Sequence, residues 1–80
     1  AEKRRELLYA LLHAGFQARM HSYEYFIRRG KFVSIVTLSP ALNVARIKLM
    51  GWNIRDSTES AKEIEIILKG LDPGIRIEVS

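Results

Sequence analysis

Between His21 and Lys31 the chain reads HSYEYFIRRGK, a stretch of tyrosine, histidine, arginine and lysine in which Glu24 is the one acid. Arginine and lysine neutralise phosphates, while tyrosine and histidine stack on bases or donate hydrogen bonds to backbone oxygens. The chemistry on offer is the gripping of an anionic partner. Bond-making chemistry is harder to assemble. His13 and His21 lack the i,i+4 spacing of a helical metal pair and have no acidic cluster beside them, so no metal site and no cofactor are expected. The glycines stand singly, no serine sits in a nucleophile-elbow context, and Asp56, Glu59, Glu63 and Glu65 read as a helix start and a solvated face. His21 could act as a general base in a ribonuclease-type site, yet a lone strand histidine is more often structural or merely exposed. The chain is therefore not expected to be an enzyme.

Charge is unevenly placed. The net charge is +4, but Arg19, Arg28, Arg29, Lys31, Arg46, Lys48 and Arg55 fall in the middle of the chain against Glu24 alone. From Asp56 onward acids outnumber bases. A basic middle of this kind attracts phosphates at ordinary ionic strength; a basic side is also common on soluble domains. Eighty residues, 48% hydrophobic and 28% charged, make one globular domain spanning 1–80. No apolar run approaches the roughly 18 residues of a membrane span, so no membrane partner is expected. The absence of cysteine excludes disulfides and thiolate sites. No secretory leader is visible, and a cytoplasmic location is expected. The chain starts at Ala1, which fits a processed start or a piece of a longer protein.

Several elements must carry these residues. Leu7, Leu8, Leu11 and Leu12 recur at helical spacing and predict a helix over 2–14 stopped by Gly15. Residues 16–27 can be threaded on a helix, but dense Tyr, Phe and Ile before RRGK favour a strand and a turn. FVSIVTLS, 32–39, is a strand. Ser39–Pro40 reads as an N-cap and first helical residue, with Leu42, Ala45 and Leu49 on one face, predicting a helix over 40–50 ended by Gly51. A third strand over 42–54 is the alternative. A further helix over 57–69 places Ala61, Ile64, Ile67 and Leu68 inward, LDPG turns, and IRIEV closes as a strand. The fold class is α+β: an N-terminal helix, a β-hairpin, one or two helices on the sheet, and a short C-terminal strand.

As a continuous strand, 16–27 sends Phe16, Ala18, Met20 and Phe26 one way, with Ser22 and Glu24, and Gln17, Arg19, His21, Tyr23 and Tyr25 the other. The second row leads into Arg28, Arg29 and Lys31, with Arg46 and Lys48 able to extend it. These nine residues, Arg19 to Lys48 without Gln17, are the candidate contacts, and a two-stranded ribbon is narrow enough for a DNA major groove. Against this, tyrosines on sheet faces pair across strands and charged edges prevent aggregation. Trp52 is expected as a core plug between elements.

LLYALLHAGFQARM, YEYFIRRGKFVSIVTLS and ALNVARIKLMGW together resemble the later part of a LAGLIDADG homing-endonuclease repeat, with Leu11, Leu12, Gly15, Phe16, Met50, Gly51 and Trp52 at corresponding places. The resemblance implies DNA contact through Arg19, His21, Tyr23, Tyr25 and the RRGK turn. The helix bearing the family's metal-binding acid has no counterpart, which implies binding without cleavage. With 42–54 as a strand, the order resembles the double-stranded-RNA-binding fold, though its lysine pair is replaced by Thr58 and Glu59. GFQARM after a helix is similar to HicA-like ribonuclease toxins, without their Gly-Ser-His core. The expected function is non-catalytic nucleic-acid binding, DNA ahead of RNA. The alternative is a protein–protein module or homodimer using the hairpin edge.

Overall fold

Leu7 and Leu11 stand one turn apart in helix α1 (Glu2–His13) and are both buried, the stripe that a helix lying on a sheet requires. The computed structural model describes residues 2–80. The helix ends where Gly15 takes φ +94°. There the Phe16 N–H donates to the Leu11 carbonyl and the Gly15 N–H to that of Leu12, each at 3.1 Å. This pairing is a Schellman turn, and it drops Phe16 into the core beside Leu11.

The chain then forms β1 (Gln17–His21), β2 (Glu24–Arg29), β3 (Lys31–Ser39) and β4 (Val44–Leu49). A 3-10 turn (Gly51–Asn53), helix α2 (Ile54–Leu71) and β5 (Arg76–Val79) follow. The strands make one sheet in chain order, antiparallel up to β4, with β5 parallel to β4. A parallel neighbour needs a crossover, and α2 is that crossover. Both helices cover the same face. Leu7 and Leu11 of α1 and Ala61, Ile64 and Leu68 of α2 pack with Tyr25, Ile27, Val36 and Ile47 of the sheet. The α+β layout expected from the sequence is the observed one. No described helix is long and apolar enough to cross a membrane.

Four details differ from expectation. First, 16–27 is not one strand: His21 pairs with Glu24, and Ser22 and Tyr23 form a two-residue loop with φ +58° at Ser22. Second, the helix expected over 40–50 is a turn and a strand. Pro40 occupies the second position of a turn closed by Leu42 N–H to Ser39 O, not a helix start, and Asn43 at φ +51° breaks any continuation. VARIKL then alternates, with Ala45 and Ile47 buried and Arg46 and Lys48 exposed. Third, α2 begins before the expected 57. Ser57 therefore lies inside the helix, and its buried hydroxyl accepts from the Met50 N–H and donates to the Val33 carbonyl. Fourth, Trp52 is no core plug, being 75% exposed.

Ser57 thus joins β3, the 3-10 turn and α2 through one oxygen. Replacing it with alanine leaves a buried N–H and a buried carbonyl unpaired, which costs about 1–3 kcal/mol. Urea unfolding is expected to show this loss with an unchanged slope, whereas exposed Thr58→Ala on the next position stays within about 0.5 kcal/mol. The far end is tied by Lys3, which donates to Asp72 at 2.6 Å and holds that carboxyl below the usual range. Asp72 also accepts the Gly74 N–H, forming the LDPG turn.

Candidate nucleic-acid interface

The two-residue loop after His21 decides which side chains share the uncovered face. Pairing runs Arg19–Phe26 and Met20–Tyr25, so odd positions of β1 join even positions of β2. A strand unbroken through Tyr25 would have kept Arg19 and Tyr25 together; the loop separates them. Tyr25 is fully buried among the helices, its hydroxyl donating to the Arg4 carbonyl at 2.7 Å. Burial pushes its pKa up to about 12, with the nearby Arg4 charge offsetting part of the rise. Tyr25 is therefore a core residue and not a contact. Phe26 takes its place on the uncovered face, half-buried.

A β-bulge adds a second ring. Ile27 pairs with Ser34 but Arg28 with Phe32, leaving Val33 as the extra residue of β3. In a regular register Phe32 would share the helix-covered face with Ser34 and Val36. The bulge turns it onto the uncovered face, as bulges commonly re-aim side chains near functional surfaces. Phe26 and Phe32 consequently meet edge to face, with centroids 6.3 Å apart and planes at 73°.

Across the sheet the register aligns Arg19, Phe26, Ile35 and Lys48 in one row. Gln17, Arg28 and Phe32 make a second row. His21, Glu24, Thr37, Arg46 and Glu78 make a third. A shallow groove over this region is lined by Gln17, Arg19, His21, Phe26, Arg28 and Phe32. Arg19, Arg28 and Lys48 are exposed and make no ion pair among the described residues. Arg46 pairs with Glu78 at 3.0 Å, and Arg76 meets the same carboxylate at 3.4 Å, so one acid is shared by two cations. The result is an apolar centre of Phe26, Phe32 and Ile35 with cations at its rim.

The remaining sequence candidates lie elsewhere. Arg29 points to the helical side, where it grips Glu63, donates to the Ala14 carbonyl and stacks 3.8 Å over the Phe16 ring. Lys31 reaches Asp56 at 3.2 Å. Both are engaged in docking the β2–β3 turn onto α2. Tyr23 lies in the β1–β2 loop with the Arg4 guanidinium 4.9 Å from its ring centre. The recess beside it is lined by Lys3, Arg4, Ser39 and Asn43. Lys3 there is held by Asp72, and Arg4 by the Ser22 carbonyl, although the Arg4 Nε has no partner. Among the described residues no three of His, Cys, Asp and Glu converge as a metal cluster would. His13 ends α1 and His21 ends β1, on separate elements.

No known protein family, curated protein or solved structure matches this chain. Its surface chemistry is thus the guide to what it binds. Phe26 and Phe32 were the residues that strand parity read from the sequence did not reveal. The alternation of VARIKL, which fixes Arg46 and Lys48 outward, could through pairing have shown Phe26, whereas Phe32 reaches this face only through the bulge, for which the sequence carries no signal.

Proposed function

We propose that this chain is a non-catalytic nucleic-acid-binding domain that uses the uncovered face of its sheet. The observation carrying this reading is the gathering of Arg19, Arg28, Arg46 and Lys48 around Phe26, Phe32 and Ile35 on one face. The acids Asp56 and Glu63 meanwhile sit on α2 and neutralise Lys31 and Arg29. Paired charges on the helical side bring little net attraction. Arg19, Arg28 and Lys48, free of ion pairs among the described residues, beside the half-buried rings favour phosphate contact and stacking. A sheet of five strands at about 4.8 Å spacing is about 19 Å wide. That exceeds the roughly 12 Å of a DNA major groove, so the ribbon-in-groove geometry is not favoured.

The test is binding of a labelled oligonucleotide at roughly 50 and 200 mM salt. Four phosphate contacts give a log–log salt slope near −3 and about a fifty-fold loss over that range. Arg28→Ala should weaken binding and flatten the slope. Arg29→Ala should leave binding intact but lower stability by about 1 kcal/mol, through the lost ring stacking and a partly exposed ion pair. Salt-independent or undetectable binding contradicts the reading, as does an Arg29→Ala effect on binding larger than that of Arg28→Ala.

A further inference from the structure

We infer that the ligand of this face is a single strand, with bases lying on Phe26 and Phe32 and phosphates on Arg19, Arg28 and Lys48. The inference rests on the nucleic-acid reading above and adds which form is taken. A duplex presents phosphates and sugars outward and keeps the π-faces of its bases inside the stack. Set against this face, it would cover the apolar centre with charged backbone and leave the rings without a partner. A single strand can turn its bases toward the centre while its backbone follows the rim, where the cations are.

The geometry of the centre fits that arrangement. Phe26 is flanked in its row by Arg19 on one side and by Ile35 and then Lys48 on the other. Phe32 is flanked by Arg28, its pairing partner beyond the bulge. Each ring therefore has a cation beside it within the same row of the sheet. The edge-to-face contact of the rings keeps them from closing flat on one another and leaves both half-exposed. The bulge at Val33 is what brings the second ring to this face, and without it Arg28 would stand beside an isolated Phe26.

The deciding experiment compares a labelled oligo-pyrimidine strand of about ten nucleotides with a blunt duplex of equal length, using the wild type, Phe26→Leu and Phe32→Leu. Leucine keeps these half-buried positions apolar while removing the ring, and circular dichroism with thermal melting confirms that each variant is folded. The expected result is tighter binding of the strand than of the duplex. Each leucine variant should lose roughly ten-fold on the strand, in the range of one stacked base, and little on the duplex. Phe26→Tyr should retain wild-type strand binding. Equal affinity for strand and duplex, with both leucine variants silent, overturns this inference while the salt slope leaves the parent reading standing. No binding to either at low salt overturns both.

Discussion

Tyr25→Ala is expected to remove about 3–5 kcal/mol of folding stability, the range for deleting a large aromatic side chain from a core. Tyr25 is fully buried on β2, in a core cluster that includes residues of both helices. A domain of this size has roughly 4–12 kcal/mol in all, so the variant should lose a large fraction of its stability, read as a much lower urea midpoint. Tyr25→Phe keeps the ring and deletes only the hydroxyl that binds the Arg4 carbonyl, a change of about 1 kcal/mol. The two variants also separate by pH. The folded protein holds the phenol neutral up to about 12 because burial penalises the charged form. An unfolded tyrosine ionises near 10. The stabilisation is complete below the lower value and is lost as pH rises through the upper one, to an extent of roughly 2–3 kcal/mol. Chemical denaturation at pH values spanning that window should therefore show a steeper alkaline loss for the wild type than for Tyr25→Phe. An equal loss in both would mean that Tyr25 is not buried.

The combined variant Arg19→Gln, Arg28→Gln and Lys48→Gln is expected to reduce single-strand affinity by a few hundred-fold near 50 mM salt and about thirty-fold near 200 mM. These magnitudes follow from losing three contacts at a slope of about −0.7 each. The slope itself should flatten to what Arg46 alone supplies. A control that removes the same charge from the helices, Arg5→Gln, Arg55→Gln and Lys62→Gln, alters exposed positions away from the sheet face. It should leave both affinity and slope near wild type. If the two triple variants weaken binding equally, only net charge matters and the face has no special role.

Elements whose signals are local were legible in the sequence. Gly15 as a helix stop, LDPG as a turn and IRIEV as a closing strand each depend on a few adjacent residues. The parity of the first strands was not legible, because the Ser22–Tyr23 loop carries neither glycine nor asparagine. Ser22 nevertheless adopts a positive φ there, held by pairing of the flanking strands. One hidden two-residue loop moved Tyr25 into the core and Phe26 out of it. The bulge at Val33 was equally silent, since FVSIVTLS reads as an ordinary apolar strand. Arg29 and Lys31 were misleading because their partners, Glu63 and Asp56, lie far along the chain and meet them only in the fold. Arg19, Arg28, Arg46 and Lys48 keep their expected place outside the core because each lies on an outward strand position, whichever ligand they face.

Backbone amide shift mapping of the isotopically labelled protein, titrated with a short single-stranded oligonucleotide, tests the central claim most directly. Perturbations are predicted on β1 to β4 at Arg19, Phe26, Arg28, Phe32, Ile35 and Lys48, with the outward positions of α1 and α2 unmoved. Shifts confined to the helices, or none at saturating oligonucleotide, would contradict the assignment of the uncovered sheet face as a nucleic-acid surface.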